Sequence, residues 1–164
     1  MPLVQVSDFK GVFTLRKDEH SQSIYLGYIT TNENKLIREI FGIDLGGQII
    51  TYIANNQSPV NPEFQFILNE FSYQYGRRIL YSAGLKNILC GLIYHEIVTT
   101  DNRNPSVNGG LERARTENAT PVRANYSNYL NSVDWIECVQ KYVQSKPGDY
   151  TGYAGTQFLR TWMI

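Results

Sequence analysis

The apolar positions along this chain change period several times, and each change predicts an element. Leu36, Ile37, Ile40 and Phe41 fall on one helical face with Lys35, Arg38 and Glu39 opposite, which predicts a helix opening at Thr31 or Asn32. Glu33 then lies in a first turn, where the helix dipole favours a carboxylate, and Gly42 is a natural stop. Asp44 is placed to cap a second helix, whose stripe is Leu45, Ile49, Tyr52 and Ile53, with Gly46 and Gly47 weakening its first turns. Asn61-Pro62 starts a short helix carrying Phe64, Ile67, Leu68 and Phe71. From Asn69 to Tyr81 no helical period fits, and the stretch around Gly76 reads as a tight hairpin or an irregular loop.

Ser82 is placed to cap the most apolar helix of the chain, Ala83 to Val98, which carries Leu85, Ile88, Leu89, Cys90, Leu92, Ile93 and Ile97. A helix apolar on most sides is expected to be buried on most sides, and Gly84 and Gly91 then mark close approach of another backbone. The last strong helix spans Val122 to Ser145 with one stripe, Val122, Tyr126, Tyr129, Val133, Ile136 and Val143, broken only by Gln140. Lys146-Pro147-Gly148 ends it. The first thirty residues are mixed: Arg16–Ser23 reads as a solvated turn and Ile24–Ile29 as a short strand or buried segment. The fold class is therefore mainly α, a small bundle of four to five helices.

Between the last two long helices lies a polar excursion, Thr99 to Ala119, longer than a compact domain needs for a connection. It reads as an extended arm, either a β-hairpin turning at Asn108-Gly109 or a floppy insertion. Residues 1–145 form one helical domain with its arm at 99–121, and residues 146–164 form a C-terminal extension. That extension is a Gly-Tyr linker, a flexible stem, ending in an apolar tip of Phe158, Leu159, Trp162, Met163 and Ile164. Such a tip is tucked into its own core or docked on another subunit, and docking is the favoured reading.

Composition narrows the function. Fifteen Lys and Arg balance fifteen Asp and Glu, so the chain lacks the overall basic excess of a protein whose main task is gripping nucleic acid. Twelve tyrosines and seven phenylalanines suit a core, a half-wet surface or an interface-rich subunit. Cys90 and Cys138 sit alone in apolar helices without a CxxC spacing, which predicts buried, inert thiols and a reducing compartment. The N-terminus does not read as a signal peptide, and no apolar run reaches membrane-spanning length, so no membrane is expected.

Candidate chemistry is thin. His20 and His95 are the only histidines, and His95-Glu96 lacks the second His of an HExxH site. His95, Glu96 and Cys90 are too few for a structural zinc. No nucleophile elbow, P-loop or dinucleotide fingerprint is present. No catalytic residue, metal or cofactor is expected. The basic groupings are Arg77-Arg78 and the set Arg103, Arg113, Arg115 and Arg123, the second diluted by Asp101, Glu112 and Glu117. Ion pairs across a subunit contact suit them better than a phosphate grip, though some are able to face DNA. The candidate partner-binding residues are Arg103, Asn108, Leu111, Arg113 and Arg115 on the arm, with Phe158, Leu159 and Trp162 on the tip.

Phe41-Gly42, the turn Leu68–Tyr73, the passage Ser82–Val98 and the passage Gly110–Val122 occur in an order that resembles the head–tail connector, or head-completion adaptor, proteins of tailed phages, particularly those of Bacteroidetes phages. The matching positions are Ser82, Gly84, Leu85 and Lys86, then Gly110, Arg113, Glu117 and Asn118, and the likeness covers residues 30 to 145. The resemblance implies a helical bundle with an extended arm, acting as a virion protein. It implies a roughly dodecameric homo-oligomeric ring under the portal protein, with the arm reaching the portal or a neighbouring tail or ring protein. DNA would pass through the channel without sequence-specific binding. The expected location is the virion neck, and the host cytoplasm during assembly.

Two other classes compete. One is a small DNA-binding or DNA-packaging accessory protein using Arg77, Arg78, Arg113 and Arg115. The other is a small enzyme centred on His95, Glu96 and Tyr94. Oligomeric state, salt-sensitive DNA affinity and His95-dependent turnover separate the three.

Overall fold

The computed structural model describes residues 2–10, 19–103 and 120–155. The first helix, α1 (Glu19–Phe41), starts well before Thr31. Residues 19–23, read as part of a solvated turn, and Ile24–Ile29, read as a short strand or buried segment, make its first half. Tyr25, Ile29, Ile37, Ile40 and Phe41 are all buried, and Glu33 falls on the same stripe at 4% exposure. A carboxylate in the middle of an apolar face interrupts the pattern that would have revealed the helix. Thr31 and Asn32 therefore do not cap; both lie inside the helix, and the Asn32 side chain, like that of Thr30, donates back to a carbonyl one turn earlier, Tyr28 at 3.0 Å and Leu26 at 2.8 Å.

A tight corner at Gly42 separates α1 from α2 (Ile43–Ala54). Gly42 has φ of 88°, and it is this glycine, not Asp44, that occupies the N-cap position of α2. A Cβ there would stand 2.8 Å from the nitrogen of Ala154, so both conformation and space require glycine. Leu45, Ile49, Tyr52 and Ile53 are buried as their spacing predicts. Gly46 lets α2 close onto α1, since its Cβ would meet Arg38 Cα at 2.9 Å.

The third helix, α3 (Pro62–Leu68), has the expected start: Asn61 Oδ1 accepts from the Phe64 N–H at 2.9 Å, with Pro62 in the first turn. Phe71, predicted on this helix, opens a strand instead. The hairpin around Gly76 is real: β1 (Phe71–Tyr75) pairs antiparallel with β2 (Arg78–Ser82), in register Phe71 to Ser82 and Tyr75 to Arg78. Gly76 takes φ of 60° at the first of the two loop residues, a conformation that glycine adopts without cost. Alternation puts Phe71, Leu80 and Ser82 on the buried face.

Ser82 therefore ends a strand and does not cap α4 (Leu85–Arg103); its Oγ accepts from the Gly84 N–H at 3.2 Å. The helix begins from Gly84, whose carbonyl accepts the first bond, from Ile88 N–H. Leu85, Ile88, Leu89, Cys90, Leu92, Ile93 and Ile97 are buried, so α4 is the central rod of the bundle. The fifth helix, α5 (Thr120–Gln144), lies beside it. Tyr129, Val133, Ile136, Val139, Tyr142 and Val143 are buried along α5. The described architecture is a mainly α bundle of five helices with one small antiparallel hairpin inserted between α3 and α4. The arm's turn at Asn108-Gly109 lies outside the described residues.

The stem that follows α5 is not a free linker. Tyr150 is 1% exposed and donates its hydroxyl to the Glu63 carbonyl at 2.8 Å. The Ala154 N–H donates to the Phe41 carbonyl at 3.1 Å, and Gln48 Nε2 donates to the Thr151 carbonyl. A tyrosine with an apolar body and one polar tip to satisfy turns a Gly-rich stretch into a docked strap.

Candidate interaction surfaces

The orientation of α4 against α5 decides where the arm is rooted. His95 of α4 and Tyr129 of α5 stack with ring centroids 4.4 Å apart. Phe71, paired with Ser82 just ahead of α4, lies 5.1 Å from the ring of Tyr142 near the end of α5. The two helices therefore run antiparallel. Arg103 and Thr120 each lie about 12–14 Å beyond the His95–Tyr129 contact, at one common pole of the pair. Residues 104–119 leave and re-enter at that pole, while the β1–β2 hairpin sits toward the other end.

Among the expected partner-binding residues, only Arg103 is described, as the last residue of α4. Asn108, Leu111, Arg113 and Arg115 on the arm, and Phe158, Leu159 and Trp162 on the tip, lie outside the described residues. The two groups are attached at separate places: the arm at the α4–α5 pole, the tip beyond Gly155, which is held against the Ile40 carbonyl and Tyr153 at the α1–α2 corner.

Among the described residues the hairpin is the most exposed regular element. Every residue from Gln74 to Ile79 is exposed. Ile79, at 77% exposure, and Tyr81 share its outer face. Arg77 occupies the loop, and Arg78 sits opposite Tyr75. Lys141 of α5 brings its ammonium 5.2 Å from the Tyr75 ring, within cation–π range. At the hairpin's base Tyr81 donates to Glu70 Oε2 at 3.1 Å, and that bond holds the phenol above its ordinary pKa. The sequence reading singled out Arg77-Arg78 and missed Ile79 and Tyr81. Period-2 alternation over Phe71–Ser82, once the turn at Gly76 is accepted, is the signal that puts them outward.

Behind the hairpin Tyr142 gathers four rings from α3, β1 and the stem: Phe66 at 4.7 Å, Phe71 at 5.1 Å, Tyr73 at 5.5 Å and Tyr150 at 6.0 Å. Much of the tyrosine enrichment is therefore core glue. Burial, and then the neighbouring Tyr142, pushes the Tyr150 phenol up.

The remaining chemistry is sparse. His95 is half-buried against Tyr129, Glu96 is exposed, and Cys90 is buried on another side of α4. Among the described residues no cluster of three His, Cys, Asp or Glu is able to hold a metal. Burial, with help from Asp8, pushes the Cys90 thiol up to about 12, and burial pushes Cys138 up to about 11. Both are free thiols. A groove of about 240 Å³ opens between α1 and α2 beside Pro2, with Ile37, Ile50 and Ile53 in its wall. No described helix is long and apolar enough to cross a membrane.

The class this defines, among the described residues, is a small mainly α bundle with one antiparallel hairpin. Comparison with protein-family models, with curated proteins and with solved structures finds no match.

Proposed function

We propose that this chain is a structural adaptor of the tailed-phage neck, a subunit of a ring that joins the portal vertex to the tail and lets DNA pass. The observation that supports the reading best is the separation of its unlike surfaces. The arm is rooted at one pole of the α4–α5 pair, the hairpin with Ile79 and Tyr81 lies toward the other, and the apolar tip follows from the α1–α2 corner. Closing a ring takes heterologous contacts, so each copy needs two different adhesive faces. Further adhesive segments are then available for the portal and for the next ring or tail protein, by strand addition or by docking an apolar anchor. The resemblance over residues 30 to 145 points the same way.

Light scattering on the size-separated protein, alone and with a portal, tests it together with electron microscopy of the product. Rings in the presence of the portal are expected. Deleting Asn104–Glu117 should leave the helical circular dichroism in place and abolish assembly. A full-length chain that stays monomeric with its portal overturns the reading.

A further inference from the structure

We propose that the tip of the β1–β2 hairpin is a contact for the phosphate backbone of duplex DNA, held by charge without reading sequence. The proposal deepens the adaptor reading, on which it rests for why a duplex should come near the hairpin.

Positive charge is concentrated here in a chain whose formal charge sums to zero. Phe71 to Ser82 contains two arginines and no acidic residue. Neither Arg77 nor Arg78 is in an ion pair among the described residues. Two exposed guanidinium groups at a turn, with a third cation, Lys141, beside Tyr75, make one basic patch around an exposed ring. The nearby acids do not cancel it. Glu70 lies at the opposite end of the hairpin from the two arginines, where its carboxylate accepts from the Tyr81 hydroxyl. Glu137 stands one turn before Lys141 on α5, is in no ion pair with it, and as a single acid leaves the three cations in excess.

Geometry suits the ligand. A two-stranded ribbon is narrow enough to enter a major groove or follow a backbone. Guanidinium forks match phosphate oxygens, and such contacts release counterions from the duplex. The two faces of the hairpin divide the work: Ile79 and Tyr81 on the outer face suit a protein neighbour, while the basic tip is left for the nucleic acid. With three cations the contact is weak and salt-sensitive, with a slope of log affinity on log salt of about −2.7 per copy. A grip of that kind lets a duplex slide.

The test is fluorescence anisotropy of the full-length chain with two unrelated duplexes across a salt series, with light scattering on every variant. The wild type should bind both duplexes alike. The double variant R77A/R78A should bind at least ~10-fold more weakly at low salt, with a slope shallower by about 2, and K141Q should make it shallower by about 1. Absence of binding at low salt, or an unchanged slope in the double variant, overturns the proposal. So does a double variant whose oligomeric mass falls while its DNA slope is unchanged, because the tip is then a protein contact. Rings that form without any DNA affinity overturn this contact alone. The expected slopes in a chain that never forms rings overturn the adaptor reading and leave the contact standing.

Discussion

Gln140 donates its side-chain amide to the main-chain carbonyl of Ile40 at 2.9 Å, joining α5 to the last turn of α1 inside the core. The final carbonyls of a helix lack intrahelical donors. Here three partners supply them: Gly42 N–H for Arg38, Gln140 for Ile40, and Ala154 N–H for Phe41. The one polar break in the α5 stripe is thus a cap for another helix. Gln140→Leu fills the space and removes the donor, so it should cost about 1–3 kcal/mol. Thermal unfolding, with circular dichroism showing an unchanged helix content, measures it.

Glu33 performs a similar service for the N-terminal segment. Its two carboxylate oxygens accept the N–H groups of Leu3 and Val4, each at 2.9 Å, and the Val4 side chain is fully buried. Glu33→Ala should leave both donors without this acceptor at a cost of about 2–3 kcal/mol. Native-state hydrogen exchange should show the Leu3 and Val4 amides losing protection while the amides of α4 keep theirs.

Two glycines predict opposite outcomes. A Cβ on Gly84 would lie 2.6 Å from the Leu68 carbonyl oxygen, at φ of 85°, so Gly84→Ala should destabilise by more than ~2 kcal/mol. Gly27 is exposed in α1 with nothing within 4 Å of its Cβ position, so Gly27→Ala should stabilise by about 0.5–1 kcal/mol. Chemical denaturation of the two variants side by side checks the sign of each.

Alkaline pH should weaken the fold through the thiols. The Cys90 and Cys138 values are raised from 9.0 to about 12 and about 11. The unfolded chain releases these protons first, so their contribution is complete below pH 9 and is lost as pH climbs through the folded values. Urea midpoints across an alkaline series should therefore fall from about pH 9 upward, and less steeply in a Cys90→Ala, Cys138→Ala double variant. At neutral pH both thiols should resist alkylation until the chain unfolds.

Much of this fold was legible in the sequence, and all the exceptions but Ser82 have a common cause. The α2 stripe, the Asn61-Pro62 start, the turn at Gly76 and the buried rod of α4 all follow from local pattern. The first half of α1 was hidden because Glu33 breaks its apolar face and Gly27 lowers its helix propensity, and Glu33 makes sense only beside Leu3 and Val4. Ser82 looked like a cap because the strand it ends cannot be separated from the helix that follows by composition. The stem looked free because Tyr150 finds its acceptor on Glu63, far back in the chain. The hairpin arginines were visible, but their grouping with Lys141 and Tyr75 needed the register of β1 on β2 and its placement against α5. Long-range polar partners are what local periodicity lacks.

The docked stem also has a consequence for synthesis. Phe41 waits for Ala154 and Ile40 for Gln140, so the first two helices stay incomplete at their shared corner while the ribosome makes the rest, and Glu63 of α3 waits for Tyr150. A nascent chain stalled before residue 155 would hold the α1–α2 pair only loosely, and the subunit would set into its final shape once that strap has cleared the exit tunnel.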